Sequence, residues 1–428
     1  MTEQKKEKVG IIGLGYVGLP LAVLCAEKGY SVSGFDLSPE KIEKIKQGKS
    51  PFIEEFIEKR KKFLKQLKVS DNSEVIQDAD ILVICVPTPI DKDYYPDLKP
   101  VKGAIRTAIK NHKPGRLVIM ESTINPGVCE EVIEPIFKRE GLEEGRDYYL
   151  SHCPERIDPG NKKWDVSNIS RVVGSMSQKG LSKTKSFYES IIDGKIKPMK
   201  YIREAEAVKV VENSFRDINI AFVNELAQSF DQMEIDVKDV IDGAATKPFA
   251  FMAHYPGRGV GGHCIPVDPY YLIEQAKRKG FSHKFLKAAR EINNYMPFYT
   301  VKLLQDLLNE AEMPLKNTGV GILGLSYKAN IDDLRESPVF KILEELEKKG
   351  ARSIKFDPYL PQDSDVKSLD ELIDKSQALL LITNHNDFKG VEEKIKGKNI
   401  KVVVDGMNSL DGEKIKKFGI LYHGIGRH

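Results

Sequence analysis

The sequence predicts an α/β protein in which two doubly wound domains are joined by a central helical layer. Short apolar runs that end in glycine turns recur near both ends of the 428-residue chain, and helical patterns follow them, as in parallel β-α units. The middle of the chain carries long stretches of helical periodicity instead. The predicted domains are residues 1–200, 201–312 and 313–428.

The first domain begins with the segment KVGIIG, a short apolar run that predicts a buried strand. Gly13, Gly15 and Gly18 form a G-x-G-x-x-G pattern where this strand meets a predicted helix. They allow a tight turn, close approach of a pyrophosphate and close packing of helix on strand. Asp36 follows Gly18 by 18 residues, which completes a Rossmann-like fingerprint, and its charge favours NAD over NADP because it would repel a 2′-phosphate. The other turn residues expected to contact the cofactor are Tyr16 and Val17.

Three later apolar runs of the first domain end in polar, proline-containing loops. The residues at these ends are Thr88, Thr123 and Glu155. Ligands bind at the carboxyl ends of the strands in an open parallel sheet, so these side chains are candidates for a binding crevice. From the pattern alone, each of them could instead be a turn residue.

A helical pattern covers about residues 204–233, and a second one covers about residues 285–312. Lys209 and Asn213 lie four residues apart in the first pattern, so they share one face of the helix. That face is either a solvated stripe or a partly buried polar site between apolar neighbours. Two long helices in the middle of the chain also predict a connecting layer at which two copies form a homodimer.

The third domain starts with the segment TGVGILGLSYKANIDDLRESP, which again predicts a strand entering a glycine turn. It lacks a complete G-x-G-x-x-G pattern, so we do not expect a second NAD site. Lys328 and Arg335 lie in the loop after the first predicted strand of this domain. Their charges suit an anionic phosphate ligand.

The chain has 66 basic and 63 acidic residues, a net charge of +3, and 41% hydrophobic residues. This composition predicts folded cores and argues against a dedicated nucleic-acid binder, which usually has a strong basic excess. The N-terminal apolar run contains regularly spaced glycines, so we interpret it as folded structure and not as a signal peptide. The five cysteines are scattered and imply no disulfide framework, so we expect a cytoplasmic protein without a membrane partner.

Cys264 follows the glycine-rich segment Gly257–Gly262 and stands beside His263. Together with the pair His152 and Cys153 it could form a zinc site, although neither pair has the ligand spacing typical of one. A buried structural cysteine would not need the preceding glycines, which let the backbone approach a ligand. We therefore interpret Cys264 as a nucleophile in a binding loop and expect no metal.

A nucleophilic thiol in a chain with a dinucleotide site indicates the oxidation of an aldehyde. An aldehyde cannot release a hydride until a nucleophile adds to its carbonyl carbon. A thiolate adds to form a thiohemiacetal, loss of hydride gives a thioester, and water then releases a carboxylate. The combination therefore predicts oxidation that continues to an acid.

Several segments of the chain carry a family resemblance: GLGYVGLP, VPTP, ESTINPG, PERIDPG, EAVKVVENSFRDINIAFVNE, GVGGHCIPVDPYYL and LSYKANIDDLRESP. Together they resemble the UDP-glucose/GDP-mannose dehydrogenase family of nucleotide-sugar 6-dehydrogenases over nearly the whole chain. The segments ATKPFAFMAHYPG and PERIDPGN are most similar to the branch that oxidises UDP-N-acetylglucosamine. The UDP-N-acetylmannosamine branch shares GVGGHC, and UDP-glucose is a further alternative. One departure is Arg258, where the mannosamine branch commonly has proline.

The resemblance implies a role for individual residues of the catalytic site. Cys264 is implied to be the nucleophile, Lys209 to stabilise the oxyanion, and Asn213 to help hold it. The residues implied to position or activate water are Asp268, Glu155 and Thr123.

Further implied contacts concern the ligands. The residues implied to contact NAD are Thr88, Thr123 and Arg335. The residues implied to contact the UDP-sugar are Glu155, Arg156, Lys209, Asn213, Tyr255, Arg258, Gly261 and Lys328. Such enzymes complete their active site across a dimer.

Two other functions are compatible with parts of the sequence. A two-electron hydroxyacid dehydrogenase also pairs a Rossmann domain with a helical Lys-x-x-x-Asn motif, but it needs neither the thiol nor a third domain. An NAD-binding regulator without enzymatic activity would need only the dinucleotide fingerprint. The number of NADH molecules formed per substrate separates these classes.

Overall fold

The computed structural model describes residues 6–52, 54–91, 95–157, 163–262 and 264–427. The chain forms two compact units. The first consists of Met1–Glu212 with Tyr270–Phe281, and the second consists of Asn213–Pro269 with Ser282–His428. The predicted central segment 201–312 is therefore divided between the units, and its status as a separate domain stays a prediction.

The first unit is built on an eight-stranded sheet. Its strands are β1 (Lys8–Ile12), β2 (Ser31–Phe35), β3 (Lys68–Ser70), β4 (Ile81–Ile84), β5 (Arg116–Met120), β6 (Tyr148–His152), β7 (Arg171–Ser175) and β8 (Ile196–Pro198). They lie in the order β3-β2-β1-β4-β5-β6-β7-β8, and neighbours are parallel except for β6 and β7. The first six strands have the order of a dinucleotide-binding Rossmann sheet.

Helices cover both faces of this sheet, as the continuous apolar character of its strands requires. On β1, Val9 and Ile11 belong to one apolar cluster and Ile12 belongs to another. Ser38 caps the N-terminus of the helix that follows β2. Its Oγ accepts a hydrogen bond from the backbone N–H of Lys41 at 3.3 Å. The helices are α1 (Gly18–Glu27), α2 (Pro39–Lys46), α3 (Glu55–Glu58), α4 (Lys61–Leu64), α5 (Lys99–Lys110), α6 (Glu134–Arg139) and α7 (Gln178–Ile191).

The two long helices predicted in the middle of the chain are present as α8 (Ile202–Asp231) and α11 (Phe285–Glu310). Between them lie α9 (Val237–Ala245) and α10 (Asp268–Arg278). The division between the two units falls within α8, between Glu212 and Asn213.

The second unit contains a five-stranded parallel sheet. Its strands are β9 (Gly319–Leu323), β10 (Arg352–Phe356), β11 (Ala378–Leu381), β12 (Val402–Asp405) and β13 (Leu421–Gly424). They lie in the order β10-β9-β11-β12-β13. Its remaining helices are α12 (Val339–Lys348), α13 (Leu369–Lys375), α14 (Val391–Ile395) and α15 (Gly412–Lys417). The predicted α/β class with two doubly wound sheets is therefore confirmed.

Among the residues that the structure describes, none of the helices combines the length and apolar character needed to span a bilayer.

Candidate active site

The glycine turn between β1 and α1 has two kinds of glycine. A Cβ at Gly13 would lie 2.6 Å from the carbonyl oxygen of Cys85, and Gly13 has a φ of +92°. A Cβ at Gly18 would overlap the carbonyl oxygen of Gly13. A Cβ at Gly15 would meet nothing within 4 Å. Protein packing therefore explains the first and third glycines, whereas open space at Gly15 fits the close approach of a pyrophosphate.

Asp36 follows the last residue of β2 and fixes the glycine turn. Its Oδ2 accepts a hydrogen bond from the backbone N–H of Leu14 at 2.8 Å, and its Oδ1 accepts one from Ser38 at 2.9 Å. The ammonium group of Lys41 lies 3.5 Å from Oδ2. The carboxylate therefore stands beside the turn in a defined orientation, where the ribose of a dinucleotide is expected.

The three polar residues predicted at strand ends follow three neighbouring strands of the first sheet. Thr88 comes after β4, Thr123 after β5 and Glu155 after β6, and these strands are parallel. Their loops consequently leave the same edge of the sheet. Tyr271 links two of these loops, because its hydroxyl donates to the Thr88 carbonyl oxygen and its own carbonyl accepts from Asn125 at 3.1 Å.

Glu206 is a buried carboxyl group that the sequence analysis did not identify. From α8 it accepts hydrogen bonds from the backbone N–H groups of Gly127 and Cys129, the latter at 2.8 Å. Burial raises the pKa of Glu206 to about 7, and the two backbone hydrogen bonds oppose that rise. The side chain ties the loop that carries Thr123 to the helix that carries Lys209. The sequence signal for Glu206 was its position three residues before Lys209, which places the two side chains on the same face of the helix.

Four of the five cysteines lie in the first unit, and their surroundings disfavour the thiolate. Burial raises the pKa of Cys153 to about 12 and raises the pKa values of Cys25, Cys85 and Cys129 well above the ordinary value. These thiols are protonated near neutral pH and therefore poor nucleophiles. Cys264 is partly buried, and so is Cys85, but the neighbouring Glu121 carboxylate adds to the rise in the pKa of the Cys85 thiol.

A buried charged group is near several of these thiols. Glu121 accepts hydrogen bonds from Arg171 at 2.8 Å and from the Tyr188 hydroxyl at 2.5 Å. Glu121 and Arg171 form an ion pair without exposed side-chain surface. The negative charge of Glu121 raises the pKa values of the Cys25 and Cys85 thiols further, beyond the rise caused by burial. This cluster is best explained as a structural element of the core.

Cys264 lies in the second unit, four residues before Asp268, the first residue of α10. Its carbonyl oxygen accepts hydrogen bonds from the backbone N–H groups of Val267 at 3.1 Å and Asp268 at 2.8 Å. Asp268 is buried, and its Oδ2 accepts a hydrogen bond from Nδ2 of Asn213 at 2.5 Å. The structure thus brings together three residues predicted for catalysis, although Asn213 and Asp268 are 55 positions apart.

The zinc alternative rests on two His-Cys pairs. His152 is fully buried, and burial lowers its pKa to about 3, so its ring is neutral. His263 lies outside the described residues. Within the described part of the chain, no group of three or more His, Cys, Asp or Glu side chains is arranged to hold a metal ion.

The glycine-rich segment before Cys264 packs closely on the second unit. A Cβ at Gly261 would lie 2.8 Å from Tyr327 and from Pro338. The Gly262 N–H donates to the Arg335 carbonyl oxygen at 3.1 Å. Contact with the protein therefore explains part of the glycine content that the sequence analysis attributed to a ligand, and the contact of Gly261 with substrate stays a prediction.

Other predicted ligand-binding side chains have protein partners. Arg156 forms an ion pair with Glu212 and donates to the Ser170 carbonyl oxygen at 2.8 Å. The Tyr255 hydroxyl donates to Asp242 at 2.7 Å.

Arg335 donates to both carboxylate oxygens of Asp333, and Lys328 also makes interactions within the protein. Tyr16 packs against Phe52 beside the glycine turn, with the ring centroids 4.1 Å apart. Ligand contacts of these residues stay predictions.

Lys209 lies on α8, one helical turn before Asn213, and is 8% exposed. Among the residues described, none forms a hydrogen bond or ion pair with its ammonium group. A buried ammonium group without a carboxylate partner is available for a negatively charged oxygen of a ligand.

The Rossmann sheet, the glycine turn and Asp36 define a dinucleotide-binding protein, and NAD is the cofactor of the domain that it matches. Comparison with known proteins identifies the family to which the chain belongs. Residues 7–192 match the NAD binding domain of the UDP-glucose/GDP-mannose dehydrogenase family, residues 203–295 match its central domain, and residues 321–412 match its UDP binding domain. The chain belongs to this family and is an NAD-dependent UDP-sugar 6-dehydrogenase, as the resemblance implied.

Relatives of the chain are named as dehydrogenases of two different UDP-N-acetylhexosamines. It is 37% identical over 425 residues to a UDP-N-acetyl-D-mannosamine dehydrogenase of Pyrococcus horikoshii, covering 98% of this chain and 99% of the relative. It is 38% identical over 357 residues to a UDP-N-acetyl-D-glucosamine 6-dehydrogenase of Pseudomonas aeruginosa, covering 83% and 84% of the two chains. A solved structure of UDP-D-ManNAc dehydrogenase from Pyrococcus horikoshii superimposes with a TM-score of 0.92 at 36% identity, covering 98% of this chain and 99% of that one.

Proposed function

We propose that this enzyme oxidises the C6 hydroxyl of a UDP-N-acetylhexosamine to a carboxylate by removing four electrons. The observation that carries this proposal is the position of partly buried Cys264 in the turn before α10. Its carbonyl oxygen accepts a hydrogen bond from the Asp268 N–H, and the Asp268 side chain accepts one from Asn213. A two-electron alcohol dehydrogenase has no need of a nucleophilic thiol. The family membership of the chain supplies the nucleotide-sugar class.

The chemistry assigns a task to each residue. When bound, NAD would supply the hydride acceptor for each of two oxidations of C6, so two NAD molecules would be used in turn. In the first oxidation the C6 hydroxyl releases its proton to water and C6 loses a hydride, which gives an aldehyde, and Lys209 stabilises the oxygen as its charge develops. The thiolate of Cys264 then adds to the aldehyde carbon, and the resulting thiohemiacetal oxygen is held by Lys209 and Asn213.

The second oxidation and the hydrolysis complete the sequence. Loss of the second hydride converts the thiohemiacetal into a thioester on Cys264. Water attacks the thioester carbon, the C–S bond breaks, and the carboxylate and the thiol are released. Asp268, Glu155 and Thr123 are assigned to orient this water and accept its proton.

The C2 configuration of the sugar has two candidates. The segments ATKPFAFMAHYPG and PERIDPGN favour UDP-N-acetylglucosamine. The relative from Pyrococcus horikoshii, which is matched over nearly its full length, favours UDP-N-acetylmannosamine. We propose the glucosamine first and the mannosamine as the second candidate.

We also propose that the enzyme is a homodimer formed through α8. Phe215 and Phe222 of this helix lie two turns apart on one face and are 50% and 53% exposed. An exposed apolar face on a long helix is typical of an interface between subunits. Light scattering of the wild type and of Phe215→Glu tests this, and a monomeric wild type would contradict it.

The experiment that tests the function counts NADH formed per molecule of substrate consumed. UDP-N-acetylglucosamine, UDP-N-acetylmannosamine and UDP-glucose are each supplied in limiting amount with excess NAD. We expect two NADH per N-acetylhexosamine and a UDP-linked uronate as the product in mass spectrometry. One NADH per substrate would indicate a two-electron dehydrogenase, and NAD binding without turnover would indicate a regulator.

A further inference from the structure

The second unit contains a buried guanidinium group without a negative partner. Arg258 is 5% exposed, and one of its terminal nitrogens donates to the Tyr327 carbonyl oxygen at 2.9 Å. Its Nε makes no hydrogen bond, and no carboxylate among the described residues pairs with it. Burial lowers the pKa of Arg258 to about 10, with no opposing effect of a nearby acid. Buried charges in proteins are normally paired, and the described residues give this cation no counter-charge.

Arg258 is positioned at the ligand-binding edge of the second sheet. Tyr327 lies in the loop after β9, and Gly406, whose carbonyl oxygen accepts the Arg258 backbone N–H at 3.0 Å, follows β12. Strand β11 lies between these two strands, and the Gly406 N–H donates to its last residue, Leu381, at 2.9 Å. In this strand order the connections reverse direction between β9 and β11, which is where open α/β sheets bind ligands.

The segment that carries Arg258 is held by buried hydrogen bonds. The Gly257 N–H donates to Oδ1 of Asn224 on α8 at 2.9 Å, and Nδ2 of Asn224 donates to Asn293 on α11 at 2.9 Å. Asn293 in turn donates to the carboxylate of Asp217 at 2.8 Å. Gly406 has no Cβ, and one placed there would lie 3.2 Å from the Cβ of Arg258. The guanidinium is therefore oriented before any ligand binds.

We propose that Arg258 binds the diphosphate of the nucleoside diphosphate sugar. This inference rests on the proposed function, because that function supplies a ligand with a diphosphate. The planar fork of a guanidinium matches phosphate oxygens, and its weaker hydration makes it better suited than an ammonium group to a buried anion site. The residues that hold Arg258, Tyr327 and Gly406, both lie within residues 321–412, the segment that matches a UDP binding domain. The neutral parts of the substrate, uracil, ribose and N-acetylhexosamine, give this charge no partner.

The test compares the binding of uridine, UMP and UDP by calorimetry to the full-length wild type and to Arg258→Gln, without NAD. We expect UDP binding to weaken by about 10- to 100-fold in the variant, the range for losing a charge-assisted hydrogen bond. Uridine binding should be unchanged. The control is Arg352→Gln, because Arg352 donates to the Asn317 carbonyl oxygen at the amino end of β10 and should leave all three affinities unaltered.

Thermal unfolding separates ligand binding from a structural role. Removal of an uncompensated buried charge should leave the ligand-free Arg258→Gln protein at least as stable as the wild type, while the stabilisation by UDP shrinks. Lower stability of the ligand-free variant, or equal UDP affinity of variant and wild type, overturns the inference and leaves the proposed function intact. A wild type that does not bind UDP overturns the proposed function itself.

Discussion

The buried carboxyl group of Glu206 should make the stability of the protein depend on pH. The substitution Glu206→Gln removes the titrating group and keeps the shape of the side chain. The pKa rises from 4.5 to about 7 on folding because the group is buried. This difference spans about 2.5 pH units, and each unit corresponds to about 1.36 kcal/mol, so the linkage amounts to about 3 kcal/mol.

The sign follows from which state holds the proton. Between pH 4.5 and about 7 the unfolded chain has lost the proton that the folded protein still binds on Glu206. The free energy of unfolding therefore decreases as the pH rises through this window, and the contribution is constant above it. In Glu206→Gln this contribution is absent, so the wild type should lose about 3 kcal/mol relative to the variant between pH 4.5 and 8.

The assay is urea unfolding of both proteins at several pH values, with hydrogen exchange of the Gly127 and Cys129 amides as a local measurement. These amides donate to Glu206 and report directly on its contacts. Glu225→Gln, an exposed change on the same helix, is the matched control and should follow the wild type at every pH. A constant free-energy difference between wild type and Glu206→Gln across this range would refute the reasoning.

Three further predictions concern the chemistry. Asp36→Ala should weaken NAD binding and reduce the preference for NAD over NADP, because the carboxylate that repels a 2′-phosphate is lost; equal kcat/KM values for the two cofactors in the wild type would contradict this. Lys209→Ala should lower kcat by about 10²- to 10³-fold with little change in substrate affinity, and an effect confined to KM would show a role in binding alone. Cys264→Ser should still bind NAD and UDP but lose nearly all uronate production, because a hydroxyl is far less ionised than a thiol near neutral pH. Cys153→Ser should retain turnover in the same NADH assay, and equal losses in the two cysteine variants would contradict the assignment of the nucleophile.

Local sequence determined the parts of this protein that depend on backbone conformation and spacing. The turn around Gly13 and Gly18 was predictable because a side chain at either position would collide with nearby backbone atoms. The placement of Asp36 after β2 followed from the length of one β-α-β unit. The helices α8 and α11 were predictable from long periodic patterns. These features require no knowledge of distant residues.

Tertiary structure decided which polar groups meet and which are buried. The hydrogen bond between Asn213 and Asp268 joins residues 55 positions apart, and no spacing rule predicts it. The glycine-rich segment set Cys264 apart in the sequence, but only the fold shows that Cys25, Cys129 and Cys153 are enclosed in the core. The burial of Glu206 and Arg258 is likewise set by what packs around them. Desolvation depends on three-dimensional surroundings, so the sequence alone could not show which charged groups are buried.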